Sequence, residues 1–225
     1  MTSMRGMPCV DHLVVAADSL AEGAEWVTDR LGVPTEPGGE HPAFGTHNRL
    51  LSLGPTDYLE ILAINPAVEK PCAAYPLGLE LPEVQTRLRR GPFLLTWVMR
   101  VADLAGEGVR EVSRGEVRWR AIPRDDGALP LGGVMPAPIE WLTTPPWAAL
   151  PDRGVRLAQL TLTTAAEAEL RDGLGALGWP SDDRHADPRI AIRTATAPGS
   201  GGEDTATQAG LEAVLETARG PVLLR

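Results

Sequence analysis

Apolar residues dominate Cys9-Val-Asp-His-Leu-Val-Val-Ala-Ala17, a β-branched run that predicts a strand buried on both faces and interrupted only by Asp11 and His12. Two polar groups inside such a run require a reason. Asp18-Ser19 then offers capping oxygens to a helix whose Leu20, Ala24, Val27 and Leu31 recur at helical spacing, with Gly32 before Pro34 as its stop. Pro34 to Pro42 is turn-rich, with one short strand expected near Phe44. His47–Leu53 and Tyr58–Ile64 read as hairpin strands around Gly54-Pro-Thr-Asp57. The segment up to residue 65 thus spells β-α-β-β.

The same order returns. Phe93–Val101 predicts a strand, Asp103 a cap and Leu104–Val112 a short helix; Trp97 follows His12 by 85 positions, as Asp103 follows Asp18. Pro138–Thr143 predicts a later strand whose Glu140 follows Glu60 by 80 positions, the difference being absorbed in loops. A third start has strand Val155–Thr163, cap Thr164 and helix Ala165–Leu177 closed by Gly178. Beyond it come strand candidates Arg189–Thr196 and Val222–Arg225, separated by a Gly/Ser loop at 199–202 and a helix expected over Thr205–Ala218. The division expected is a first module with its connecting segment over 1–90, a second over 91–150, and a partial third repeat over 151–225 that completes the same fold.

Composition narrows the function. Lys and Arg number 21 against 30 Asp and Glu in 225 residues, a net charge of −9, the wrong sign for a nucleic-acid backbone or an anionic membrane. Cys9 and Cys72 stand far apart without a C-x-x-C partner, which excludes a disulfide framework and a thiolate metal site and fits a reducing cytoplasm. No stretch resembles a signal peptide or membrane span, so a soluble, cytoplasmic protein is expected. G-x-S-x-G, H-E-x-x-H and phosphate-loop motifs are absent. Acidic surface and an exposed sheet edge point to a homodimer.

The candidate chemistry lies in polar residues on apolar strand faces. Strict alternation puts His12 with Val10, Val14 and Ala16, and Glu60 with Tyr58, Leu62 and Ile64. A carboxylate there is costly unless it meets a cation, a metal or several donors, and a nearby imidazole supplies the complementary ligand type. The bland alternative has His12 on a backbone carbonyl and Glu60 paired with Arg49. Glu60 and Glu140 occupy equivalent repeat positions, and two close carboxylates call for a cation or a shared proton. Hairpin parity decides what else faces Glu60: an even loop brings His47 and Arg49, an odd loop Thr46, Asn48 and Leu50. His41, beside a proline, and His185, in Ser-Asp-Asp-Arg-His, read as loop residues. Trp97, Trp141 and Trp147 are candidates to line an apolar cavity or to fill the core.

These residues resemble the vicinal oxygen chelate superfamily, and more narrowly its glyoxalase-like branch. The resemblance rests on Val-Asp-His12-Leu-Val-Val, Gly-Glu-His-Pro-Ala-Phe-Gly-Thr-His-Asn, Tyr-Leu-Glu60-Ile-Leu and Ile-Glu140-Trp, and covers about residues 8–150. It implies an α+β fold of paired βαβββ modules whose mixed sheet curls around a cavity, with helices outside. It also implies a divalent ion (Zn, Ni, Mn, Fe or Mg) held by His12, Glu60 and Glu140. Trp97 stands where a second-module His or Gln belongs, and indole has no lone pair for a metal. The function implied is a metal-dependent lyase or isomerase for a small oxygenated substrate, with Glu60 or Glu140 moving the proton. His47, Asn48, Arg49, Trp97 and Trp141 would contact the ligand. The alternatives are a metal-free protein that sequesters a drug-like molecule and an extradiol-type dioxygenase.

Overall fold

The computed structural model describes residues 6–69, 75–182, 186–195 and 209–225. Its centre is the antiparallel pair β1 (Cys9–Ala16) and β5 (Phe93–Arg100), each buried along nearly its whole length. Around it lies one eight-stranded sheet. On one side β4 (Tyr58–Ile64) runs parallel to β1, followed by β3 (Thr46–Ser52) and β2 (Glu36–His41). On the other, β8 (Ala137–Trp141) runs parallel to β5, followed by β7 (Val117–Ala121) and β6 (Arg110–Arg114). The order is mirrored about the β1–β5 boundary, as a duplicated module requires. The sheet curls until its edge strands approach, and Arg114 of β6 reaches His41 of β2.

The helix expected after β1 is α1 (Leu20–Leu31), capped by the Ser19 hydroxyl accepting from Glu22 N–H and closed by Gly32 at φ 74°. With α3 (Glu167–Ala176) it packs on the outer face of the sheet, where Val27, Leu31, Leu170 and Leu174 join Leu13, Val15, Ile61 and Trp97 in one core. The short α2 (Pro82–Leu88) sets Val84 and Leu88 against Phe93 and Leu95 on the inner side. A second sheet, ordered β10 (Ile190–Thr194), β9 (Arg156–Thr164), β11 (Gly210–Thr217) and β12 (Gly220–Leu224), covers the outer face and shares its core. Arg189 fastens the two layers by pairing with both Asp57 and Asp187.

Three expected elements differ. Leu104–Val112 is a loop running into β6, because Gly106 and Gly108 adopt φ of 116° and 80°, outside the helical region. The segment from Gly210 within the expected helix Thr205–Ala218 is strand β11; Leu211, Ala213 and Leu215 are buried at period two, and residues 205–208 lie outside the described residues. Phe44 sits in a single helical turn, and the extra strand precedes it as β2. Cys72 and His185 also lie outside the described residues. No helix among the described residues is long and apolar enough to cross a membrane.

Candidate active site

The site grows from a bulge in β1. Val10 pairs with Met99 and His12 with Val98, leaving Asp11 as an extra residue. Alternation therefore breaks at Asp11. Val10 joins the outer core with Leu13 and Val15, whereas His12 faces the hollow, on the side of Val14, Ala16 and Leu62. Strict alternation had grouped Val10 with His12; the bulge separates them.

Across the sheet, Leu50 stands opposite Glu60, so Asn48, Leu50 and Thr46 share the face of Glu60. Asn48 Nδ2 donates to Glu60 Oε1 at 2.6 Å. Its Oδ1 accepts from Gly39 N–H at 2.7 Å and from Arg114 at 3.4 Å, which fixes the orientation of the amide. Glu60 Oε2 lies 3.4 Å from His12 Nε2, and His12 Nδ1 lies 2.7 Å from Asp11 Oδ1. Trp141 Nε1 donates to Asp11 Oδ2 at 2.9 Å, and Arg100 approaches the same oxygen at 3.4 Å. Tyr58 stacks on the imidazole with ring centroids 4.4 Å apart. One buried chain thus runs Trp141–Asp11–His12–Glu60–Asn48 across both modules.

Burial by itself would push the His12 imidazole down, but hydrogen bonds to Asp11 and Glu60 outweigh it and raise its pKa to about 9. Burial likewise opposes ionisation of Glu60, and the His12 contact, with smaller help from His41 and Asn48, lowers it to about 2. His12 and Glu60 are therefore a charged pair at neutral pH. Burial also lowers His41. As a neutral ring it accepts from Arg114 at Nε2 (2.8 Å) and meets Thr46 Oγ1 through Nδ1 (3.2 Å). Burial raises the Tyr58 hydroxyl well above its ordinary value.

These groups line an inner chamber of about 150 Å³ whose other walls include Trp119, Trp141, Val98 and Ile139. An outer chamber of about 610 Å³ shares Phe44, Leu77, Ala137 and Pro138 with it and extends the hollow towards Arg110, Leu129 and Met135. The larger volume lies outside, but the buried ionisable groups lie in the smaller space, which is where chemistry is to be sought.

The remaining expected site residues point elsewhere. Glu140 accepts from Arg120 at 3.1 Å and from Leu104 N–H at 3.0 Å and is absent from the hollow. Trp97 is fully buried in the outer core, donating to Val134 O at 2.9 Å with its ring edge-on to Trp179. His47 is on the opposite face, in a separate depression near the start of α1, and Arg49 is bound to Thr35 rather than Glu60. Register explains all four. Val98, not Trp97, stands across from His12, and the Val98–Ala137 pair places Ile139, not Glu140, where Tyr58 and the His12 pairing place Glu60. A repeat aligned one residue off presents the wrong face of both strands. Asp11, His41 and Arg114 were not among the expected site residues; in the sequence Asp11 showed as a polar interruption of β1 and His41 as part of the Gly-Glu-His-Pro stretch, and Arg114 gave no signal.

A resident divalent ion needs three or four converging donors. The Asp11–His12 bond resembles the support a metal-ligating imidazole receives. However, the second module offers Val98 and Ile139, and no group of three His, Cys, Asp or Glu suited to an ion occurs among the described residues. The donor set does not fit a resident divalent metal.

Comparison with known proteins returns one family and several similar solved structures. The family model described as a glyoxalase-like domain matches residues 10–178. A hypothetical protein from Staphylococcus aureus aligns over 96% of this chain and 84% of its own at 12% identity, with a TM-score of 0.51. Methylmalonyl-CoA epimerase from Mycobacterium tuberculosis is 20% identical over 66% of this chain and 95% of its own, TM-score 0.39. A methylmalonyl-CoA epimerase in complex with methylmalonyl-CoA and NH4+ is 14% identical over 65% and 99%, TM-score 0.38. No curated protein matches by sequence. The family match, over three quarters of the residues and on a mirrored sheet that encloses a hollow, makes this chain a member of the glyoxalase-like domain family.

Proposed function

We propose that the chain binds a small organic molecule in the hollow of the eight-stranded sheet and moves a proton on it with the His12–Glu60 pair, without a metal ion. The observation that carries this reading is the unequal spacing along the buried chain. Asp11 holds His12 at 2.7 Å and Asn48 holds Glu60 at 2.6 Å, while the joint between His12 and Glu60 is 3.4 Å and faces the inner chamber. A good N–H···O bond is shorter than that, so the joint is the weakest link and the place a polar ligand group enters.

A carbonyl or hydroxyl oxygen entering there accepts from His12 Nε2–H, and the adjacent C–H or O–H faces Glu60 Oε2. Separating the pair returns each group towards its ordinary pKa, making the carboxylate a stronger base and the imidazolium a stronger acid at the moment of contact. Asp11 keeps the imidazole oriented, and the walls exclude water. This supports lyase or isomerase chemistry at a carbon beside a carbonyl. The metal-assisted version expected from the family resemblance lacks donors at Val98 and Ile139. Binding without turnover is the second reading, favoured by the low pKa of Glu60 in the resting pair and by the indole walls of Trp119 and Trp141.

The test is proton exchange into deuterated water, followed by NMR for a panel of 2-oxo acids and thioesters, in the presence of a chelator. Exchange by wild type, reduced about a hundredfold or more in Glu60→Gln and in His12→Gln, supports acid–base catalysis. Stoichiometric metal in the purified protein, or activity abolished by chelation and restored by one divalent ion, defeats the metal-free reading. Binding with no exchange leaves the second reading in place.

A further inference from the structure

The inner chamber holds a cation without an ion-pair partner among the described residues. Arg114, the last residue of edge strand β6, lines the chamber and has no carboxylate within ion-pair distance among the described residues. Its NH1 meets two neutral acceptors, His41 Nε2 at 2.8 Å and Asn48 Oδ1 at 3.4 Å. Its Nε and NH2 make no hydrogen bond among the described residues. The other buried charges cancel: Asp11 and Glu60 are offset by His12 and Arg100, leaving Arg114 as one net positive charge at the hollow.

The space for that guanidinium is built. A Cβ on Gly39 would come within 3.1–3.2 Å of Arg114 Cδ, Nε and Cζ, and one on Gly38 within 2.0 Å of Asn48 Oδ1. Two glycines at a register shift in β2 thus admit both side chains. A half-buried arginine with unused donors, beside a chamber otherwise walled by Trp119, Trp141 and Leu77, is arranged to take an anion on an apolar body.

We propose that Arg114 is the anion seat of the hollow and that the ligand is a carboxylic acid with an apolar body, its carboxylate on the unused N–H donors of Arg114 and its body against the indoles. This rests on the binding reading above and names its ligand class. One surplus positive charge matches one carboxylate; a dianionic phosphate ester would place a second negative charge beside Glu60. Arg114 also bridges the two sheet edges, and a purely structural clasp predicts a different outcome below.

The experiment measures calorimetric affinities for phenylacetate, 2-phenylacetamide, 2-phenylethylammonium and phenyl phosphate, which share one ring and differ in charge. Expected is phenylacetate at least about tenfold tighter than the amide, with ammonium and phosphate weaker than phenylacetate. In Arg114→Gln the ratio of acid to amide falls to about one while amide affinity is retained; Arg114→Lys keeps part of the ratio. The proposal is overturned by a ratio near one in wild type, by preference for ammonium or phosphate, by absence of phenylacetate binding, or by a ratio unchanged in Arg114→Gln. Equal loss for every probe in that variant marks a clasp and also overturns it. If Arg114→Gln does not fold, the wild-type ratios and Arg114→Lys decide. The two readings fail separately: a wild type that prefers phenylacetate yet exchanges no proton defeats the catalytic reading and leaves the anion seat standing.

Discussion

Asn48 and Glu60, twelve residues apart, are joined by a 2.6 Å hydrogen bond across the β3–β4 hairpin, and the same amide oxygen accepts from Gly39. Asn48 is buried, so its removal takes a hydrogen bond from three groups, Glu60 Oε1, Gly39 N–H and Arg114. Asn48→Leu should destabilise the fold by about 1–3 kcal/mol per unpaired group, measured by urea unfolding. Asn48→Asp sets a carboxylate against Glu60, and NMR titration should find the His12 imidazole holding its proton to still higher pH. An unchanged His12 titration would contradict the contact.

Two glycines predict opposite signs. Gly38→Ala places a methyl group against Asn48, including its backbone oxygen at 2.6 Å, and should cost about 1–3 kcal/mol through displacement of the amide. Gly175, exposed in α3 with nothing within 4 Å of its would-be Cβ, should gain about 0.5–1 kcal/mol on replacement by alanine. Thermal melts of the two variants should move in opposite directions.

The buried pair also fixes a pH profile. The pKa of His12 rises on folding from 6.5 to about 9, so its stabilisation is fully present below 6.5 and is lost as pH climbs through about 9. That of Glu60 falls from 4.5 to about 2, so its stabilisation is present above 4.5 and is lost as pH drops through about 2. Both contributions are complete between 4.5 and 6.5. Unfolding free energies of wild type should decline from 6.5 towards 9, and the difference from His12→Gln should shrink over that interval. A difference that stays constant would show that His12 is not charged in the fold.

Removing one member of the pair should cost more than removing both. His12→Leu leaves Glu60 and Asp11 facing an apolar side chain and should cost about 3–5 kcal/mol, whereas His12→Leu with Glu60→Met should recover part of it. The interaction energy from the double-mutant cycle is the measurement; additivity would indicate that the 3.4 Å contact carries no coupling.

Glu140 and Trp97 supply the contrasting case. Glu140→Gln weakens contacts to Arg120 and Leu104 and should cost about 0.5–1.5 kcal/mol without altering ligand affinity. Trp97→Phe strands Val134 O and opens a gap beside Trp179, costing about 1–3 kcal/mol with the site intact. Calorimetric binding beside unfolding curves separates the two effects, and a loss of affinity in either variant would place that side chain at the site.

Local patterning carried much of the architecture. The run around Val14, the Ser19 cap, the Gly32 stop and the hairpin at Gly54–Asp57 are short-range features whose energetics are settled within a few residues, and each stands where the chain pattern places it. The curled mixed sheet around a cavity, expected from the family resemblance, is the sheet observed, and its mirrored strand order came with the structure. His12 and Glu60 were legible as polar interruptions of apolar faces. Asn48 was legible only as one of two outcomes of hairpin parity, and the register with Leu50 opposite Glu60 selected it. Asp11, Val98 and Ile139 were settled by tertiary pairing alone. A side chain's face alternates with every residue, so a single bulge or a one-residue misalignment between repeats exchanges inside for outside, and no local preference records that choice. The sequence by itself therefore determined the short-range elements and the polar interruptions His12 and Glu60; strand register and the closing of β6 onto β2 decided that Val98 and Ile139 stand at the facing positions and that Arg114 lines the same hollow.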